Sequence, residues 1–190
     1  MADAGRVIAG SARGIRLAAP GEGTRPIGDR VKQTLFAILD PDLREARFLD
    51  LYAGSGAAGI EALSRGAASA VFVERDAGAC AVIKANLERA HLAGPDARIV
   101  RAEAIAWLAG SPGADAGPFD IVVADPPYED TAGLLRSLDL LGPLMSPGGR
   151  VVAKHFWRDP PPARVGLLAS ERERRFGETV LTFYRRQEAT

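Results

Sequence analysis

Two short segments hold residues whose types and spacing could do chemistry. The first, Asp50-Leu-Tyr52-Ala-Gly54-Ser55-Gly56-Ala-Ala-Gly59, follows an apolar run and leads into a helical pattern. Its glycines permit a tight turn and let a ligand lie against backbone N–H groups at a helix N-terminus. The segment satisfies Gly-x-Gly-x-x-Gly, and Glu74 stands twenty residues after Gly54, where a carboxylate can accept hydrogen bonds from a ribose diol. That ribose could belong to a dinucleotide or to S-adenosylmethionine. Asp50 separates the two, because an acid just before the glycines repels a pyrophosphate and attracts the α-ammonium of S-adenosylmethionine.

The second segment, Asp125-Pro126-Pro127-Tyr128, comes directly after Phe119-Asp-Ile-Val-Val-Ala. Two prolines fix φ and stiffen the turn, so the Asp125 carboxylate and the Pro126 carbonyl can be held as acceptors while Tyr128 presents its ring. Two acceptors and a stacking ring suit an exocyclic amine on a nucleobase, since they orient its N–H bonds and aim its lone pair at an electrophilic methyl. Pro-Pro-Tyr also makes ordinary polyproline turns. Its position immediately after a strand favours the chemical reading.

These segments need a frame that puts them at strand ends. From Phe48 onward, short apolar runs alternate with helical stretches, the pattern of βαβ units in a mostly parallel sheet. Strands are predicted at Phe48–Tyr52, Ala70–Glu74, Arg98–Arg101, Phe119–Ala124 and Gly149–His155, with helices at Ala57–Arg65, Ala77–His91, Glu103–Leu108 and Thr131–Leu144. Beyond Asp159-Pro-Pro-Pro162, two β runs (Val165–Ser170 and Glu178–Tyr184) predict an antiparallel hairpin at the sheet edge. Ahead of the sheet, Arg6–Leu17 reads as a β-hairpin carrying Arg6, Arg13 and Arg16. A loop over Ala19–Gly28 then leads to Asp29 as N-cap of a helix ending near Pro41. Such sheets bind ligands beyond the carboxyl ends of their strands. The division expected is an N-terminal extension, residues 1–40, and a catalytic domain, residues 41–190.

At 190 residues with 47% apolar and 25% charged residues, the chain suits one well-buried domain and excludes a disordered one. A single cysteine, Cys80, excludes an internal disulfide, and the absence of a long apolar run or a secretory signal points to a cytoplasmic protein with no membrane association. The net charge of zero is unevenly spread. Residues 1–36 hold 6 basic and 3 acidic side chains, residues 37–148 hold 9 and 16, and residues 149–190 hold 9 and 5. Two basic ends around an acidic body are a plausible footprint for an anionic partner. His91 and His155 stand alone, without further ligands at metal-binding spacing, so no metal is expected.

The Asp50-x-x-x-Gly54-x-Gly56 loop, Glu74 and Asp125-Pro-Pro-Tyr128 together resemble the class I S-adenosylmethionine-dependent amino-methyltransferases. Thr24-Arg25-Pro26-x-x-Asp29-Arg30-Val31-Lys32, Leu51–Gly66 and Arg175-Phe-Gly-Glu-Thr-Val-Leu-Thr-Phe-Tyr184 narrow the resemblance to the RsmD family, bacterial 16S rRNA guanine-N2 methyltransferases named for guanine 966. The resemblance spans nearly the whole chain. It implies a Rossmann-like α/β fold with a seven-stranded, mostly parallel sheet, an antiparallel C-terminal hairpin and an N-terminal RNA-contacting β-hairpin. It implies a cofactor site formed by Asp50, Tyr52, Gly54, Ser55, Gly56, Glu74, Arg75, Glu103, Ala104 and Asp125. Catalysis would fall to Asp125, Pro126, Pro127 and Tyr128, and RNA contact to Arg6, Arg13, Arg16, Arg25, Arg30 and Lys32. The expected partner is 16S rRNA in an assembling or assembled small subunit, and the expected state is a monomer.

Three positions depart from the family pattern. Ile27-Gly28 stands where hydroxyl residues are frequent, Glu103 where Asp commonly meets the adenine amine, and Lys154-His155 where an acid is expected. His155 reads as a satisfied structural histidine. Cys80 reads as a small core residue, and Trp107 and Trp157 as packing residues ahead of RNA-stacking ones, with Trp157 beside Arg158 at the exit of the fifth strand the better stacking candidate of the two. Arg172, Arg174 and Arg175, alternating with Glu171 and Glu173, read as a solvated turn. Two rival functions fit the same motifs: an amino-methyltransferase acting on DNA adenine N6 or protein glutamine, and a noncatalytic RNA-binding assembly factor. The length leaves little room for a DNA target-recognition domain, and a pure binder has no need of an amine clamp.

Overall fold

The computed structural model of the chain describes residues 3–21 and 27–188. It groups into two compact units, Met1–Ala102 and Glu103–Thr190, and the N-terminal hairpin belongs to the first. The reason lies in what the N-terminal hairpin bonds to. Strands β1 (Asp3–Arg6) and β2 (Arg16–Ala18) pair antiparallel. Between them the chain turns through Gly10 and Gly14, with φ of +85° and +88°. A Cβ on Gly10 would lie 1.7 Å from the Ser64 carbonyl oxygen, so only glycine permits the close approach. There the Ser11 N–H donates to that carbonyl, and the Ile8 and Ala9 N–H groups donate to the two Glu61 carboxylate oxygens at 2.7 and 3.0 Å.

Helix α1 (Asp29–Leu43) differs from expectation at both ends. Gly28, not Asp29, is the N-cap. The Asp29 carboxylate turns instead to Arg6, accepting from its N–H and lying 3.5 Å from its Nε. At the other end Pro41 sits inside the last turn, where its missing N–H costs one bond and buried Leu43 carries the helix on. Leu35, Phe36 and Leu39 are fully buried, and Phe36 stacks on Phe48 with ring centroids 6.3 Å apart.

The rest of the first unit is β3 (Arg47–Leu51), α2 (Ala57–Ser64), β4 (Ser69–Glu74), α3 (Ala77–Arg89) and β5 (Ala97–Arg101). The strands are parallel in the order β5-β4-β3; the apolar runs of β3 and β4 are buried as a sheet covered by helices requires, while β5 is partly exposed. At Gly59 an added Cβ would stand 2.3 Å from the Phe72 ring, so the helix lies against β4 only because that position lacks a side chain.

The second unit begins with α4 (Ala104–Ala109) and α5 (Ser111–Ala116), followed by β6 (Phe119–Ala124) and α6 (Thr131–Leu141), which ends in a 3₁₀ turn at Gly142–Leu144. Four strands complete it: β7 (Met145–Phe156), β8 (Arg164–Val165), β9 (Leu168–Phe176) and β10 (Thr179–Arg186). β6 and β7 are parallel, while β10 runs antiparallel between β7 and β9, giving the order β6-β7-β10-β9-β8. β8, two residues long, is the outermost strand of this group.

Arg172–Arg175, read as a turn, is strand. Its residues pair with Phe183–Val180 of β10, and the turn comes later, at Gly177 with φ of +61°. Both faces of β9 are exposed from Glu171 to Arg175, which is why charge alternation there masks a strand. Charged side chains on a free edge also discourage pairing with other chains. No helix among the described residues is long and apolar enough to cross a membrane.

Candidate active site

In the first unit, the segment between β3 and α2 is bent by a run of left-handed residues. Tyr52, Gly54 and Gly56 take φ of +65°, +55° and +75°. For Tyr52 this is an unfavourable conformation of the kind that concentrates at ligand-binding turns. The two glycines serve different ends. A Cβ on Gly54 would meet nothing nearer than the Tyr52 carbonyl oxygen at 4.0 Å, so the loop is open there, whereas one on Gly56 would press on Ile83 at 3.1 Å.

Two carboxylates hold this turn. Glu74, at the end of β4, accepts from the Gly54 N–H through Oε2 and from the Asp76 N–H through Oε1, both at 2.9 Å. Asp50 is 3% exposed, and its Oδ2 accepts from the Gly59 N–H in the first turn of α2 at 2.8 Å. That bond supplies a partner to one of the open N–H groups at the helix N-terminus.

A third residue escapes a motif search. Asn86 of α3, fully buried, donates to the Ser55 carbonyl and exchanges two hydrogen bonds with the Ala18 backbone, fixing the glycine loop to β2. The only signal for it in the sequence is a polar residue on the buried face of a helix. Of the other residues expected at a cofactor, Ser55 is buried, Tyr52 half-buried and Arg75 exposed. An open glycine turn with a half-buried carboxylate pinned against it fits a ribosylated ligand, because each Glu74 oxygen keeps acceptor capacity for a hydroxyl. Cys80 is half-buried, with its thiol pushed up by burial and by neighbouring Glu74, which disfavours the thiolate.

In the second unit, Glu103 is the N-cap of α4 and accepts from the Ile105 and Ala106 N–H groups at 3.1 and 2.7 Å. Ala104, the first residue of that helix, is buried. The Asp125–Tyr128 turn follows β6. The Pro126 carbonyl has no partner among the described residues, and the Pro127 carbonyl accepts from the Asp130 N–H at 2.9 Å, closing the turn. The Tyr128 hydroxyl is 2.6 Å from Thr179 Oγ1, and its ring lies 6.1 Å from that of Phe156.

Lys154 of β7 completes this group, an arrangement the sequence does not announce. Its Nζ donates to Asp125 Oδ1 and Oδ2 at 2.6 and 2.9 Å and stands over the Tyr128 ring, 5.1 Å from its centroid. Burial raises the Asp125 carboxyl above its usual range, and the Lys154 ammonium opposes that rise. Next to it, His155 is 3% exposed. Its Nδ1 lies 2.9 Å from the Phe156 carbonyl and its Nε2 2.8 Å from Thr182 Oγ1, the satisfied structural arrangement expected.

The residues expected to meet RNA are placed unevenly. Lys32 is fully buried, its Nζ donating to the Arg6 carbonyl at 2.5 Å and lying 3.8 Å from Glu61, and burial lowers its pKa. It is withdrawn from solvent and cannot reach a phosphate, because the helix face that carries Leu35, Phe36 and Leu39 also carries Lys32 inward. Arg6 and Arg16 are exposed but paired with Asp29 and Asp3. Arg13 and Arg30 are exposed, and Arg25 lies outside the described residues. Trp107 packs as expected, 6.3 Å from Phe119, whereas Trp157 is 36% exposed.

Comparison with known proteins supplies a family for this arrangement. The chain is 36% identical to YlbH of Bacillus subtilis over 185 residues, 96% of this chain and 99% of that one. It is 42% identical to ribosomal RNA small subunit methyltransferase D of Escherichia coli K12 over 137 residues, 69% of this chain and 66% of that one. Among solved structures, yhhF of Escherichia coli superposes with a TM-score of 0.83 at 32% identity, covering 96% of this chain and 97% of that one. With residues 5–185 also matching the model of the family described as conserved hypothetical protein 95, the chain belongs to that family, the RsmD family.

Proposed function

We propose that this chain is an S-adenosylmethionine-dependent methyltransferase acting on the exocyclic N2 of a guanine in 16S rRNA, guanine 966 by the family resemblance. Its substrate would be the small ribosomal subunit, assembling or assembled, and it would work as a cytoplasmic monomer. The observation that carries the reading is the turn after β6, where a stiffened Asp-Pro-Pro-Tyr sets a carboxylate, an unpartnered carbonyl and an aromatic ring together. The name of the Escherichia coli relative supports the rRNA substrate.

When bound, S-adenosylmethionine supplies an electrophilic methyl on a sulfonium. Glu74 and the Gly54–Gly56 backbone would hold its ribose and amino-acid portions, with Asp50 beside them. Asp125 and the Pro126 carbonyl each accept one N–H of the guanine amine, which fixes the direction of its lone pair. Tyr128 stacks on the extruded base, returning part of the unstacking cost. Lys154 reduces the basicity of Asp125, so that Asp125 orients the amine while its proton leaves to water as the N–C bond forms. On this reading Arg13 and Arg30 are the residues of the N-terminal region best placed to touch phosphates.

The test is transfer of labelled methyl from S-adenosylmethionine to small-subunit RNA, followed by analysis of the modified nucleoside. N2-methylguanosine is expected. In Asp125→Ala the rate should fall at least about a hundredfold with cofactor affinity within a few-fold. N6-methyladenosine as the product, or an Asp125→Ala protein with normal turnover, would remove the proposed role.

A further inference from the structure

Beyond the Asp125–Tyr128 turn, three rings run in sequence round the end of β7. Tyr128 is 6.1 Å from Phe156, and Phe156 is 6.2 Å from Trp157. The backbone N–H of Trp157 donates to the Glu178 carbonyl at 3.0 Å, and its indole is 36% exposed. Two guanidinium groups lie against that indole, Arg175 at 4.3 Å and Arg158 at 4.9 Å from the ring centroid. Arg175 is held by its Nε, which donates to the Gly177 carbonyl at 2.8 Å, and this leaves its terminal nitrogens available. Neither Arg158 nor Arg175 is paired with a carboxylate among the described residues; Arg172 and Arg174 lie on the opposite face of exposed β9 from Arg175, which shares its face with Glu173.

An exposed indole with unpaired guanidinium groups beside it has the two properties a single-stranded nucleic acid asks of a protein. The planar groups stack on bases whatever their identity, and the cations meet the backbone phosphates. A protein partner would be matched by an apolar patch, but the large apolar side chains exposed among the described residues are only Trp157 and Leu135. The position matters equally. The row of rings starts at Tyr128, where the target base would be held, so a strand entering that turn places its next nucleotide over Phe156 and Trp157.

We propose that Trp157, with Arg158 and Arg175, is the stacking platform for the nucleotide adjoining the target guanine in single-stranded RNA. The proposal rests on the RNA-methyltransferase reading above and adds to it a second surface, distinct from the N-terminal hairpin. Phe156 forms the bridge between platform and turn. A target guanine engaged at both places is extruded with its neighbour already immobilised, which lowers the ordering cost of transfer.

The test measures binding of a short single-stranded oligoribonucleotide, and of a duplex of equal length, to wild type and variants. Trp157→Ala should weaken single-strand binding about 5- to 150-fold, the range for loss of one base-aromatic stack, and Trp157→Phe should restore most of it. Arg158→Ala with Arg175→Ala should flatten the salt dependence by about 0.7 log units for each phosphate no longer neutralised. S-adenosylmethionine affinity should be unchanged in all of them, which separates loss of the surface from loss of the fold. Wild-type single-strand affinity in Trp157→Ala, or equal losses on single strand and duplex, overturns the platform. If Asp125→Ala then still abolishes methylation, the enzymatic reading stands without it; a wild-type protein that neither binds nor methylates rRNA overturns both.

Discussion

Replacing Lys154 by Met removes an ammonium that lies 2.6 and 2.9 Å from the two oxygens of Asp125 while keeping a side chain of similar length. The side chains are only 11% and 18% exposed, so water does not take the place of the missing ammonium. Deleting one member of a buried ion pair costs about 3 to 5 kcal/mol. Asp125 escapes part of that by taking up a proton, since burial already raises its pKa and Lys154 is the charge that opposes the rise. In Lys154→Met the carboxyl therefore titrates higher than in the wild type, and in its protonated form it presents an O–H where the amine needs an acceptor.

A hydrogen bond to a charged group contributes about 1.5 to 3 kcal/mol. At about 1.36 kcal/mol per factor of ten, kcat should drop roughly 10- to 150-fold where that carboxyl is protonated and recover as pH rises. The sign for stability is the reverse. A raised folded-state pKa favours the fold below the ordinary carboxylate value, and that advantage is lost as pH rises through the folded value. Lys154→Met should thus lose Tm relative to wild type between acid and neutral pH. Single-turnover methyl transfer across pH, with cofactor affinity measured in parallel, reads the first effect, and Lys154→Arg should restore the neutral-pH rate. A Lys154→Met enzyme with the wild-type pH profile would refute the coupling.

Two other substitutions probe the first unit. Glu74→Ala removes the acceptor for the Gly54 and Asp76 N–H groups and for the cofactor's ribose, and should weaken S-adenosylmethionine binding about tenfold to 150-fold by calorimetry; NAD binding in the wild type would undo the argument from Asp50. Lys32→Met breaks the buried contact with Glu61 and should lower stability in urea by up to about 3 to 5 kcal/mol, while the salt slope of RNA binding stays unchanged; a slope flattened by about 0.7 log units would put Lys32 on the RNA after all.

The sequence by itself determined most of the order of strands and helices, because alternating apolar runs and helical periods are local properties of the chain; α5 and the two-residue β8 carry no such period and were not among the elements expected. It also determined the two chemical segments, because Gly54-x-Gly56 and Asp125-Pro-Pro-Tyr128 act through backbone freedom and restriction that the residue types carry with them. Asp50 and Glu74 were legible as acids at strand ends.

What each acid bonds to was decided by tertiary structure. Glu74 reaches Gly54 across twenty residues, Asp50 closes the N-terminal turn of α2, and Asn86 clamps the loop from thirty-one residues away. A charge pattern has the same limit. Lys32, Arg30 and Arg13 are alike as letters, yet helix phase carries Lys32 into the interior and leaves Arg30 in water. Arg172 to Arg175 looked like a turn because a strand exposed on both faces has no apolar alternation to reveal it; only pairing with β10 makes it a strand. The same pairing, and not any motif, brings Arg175 against Trp157, and β7 lying beside β6 brings Lys154 to Asp125. Those contacts join residues distant in sequence, and long-range pairing is information that local propensity does not hold.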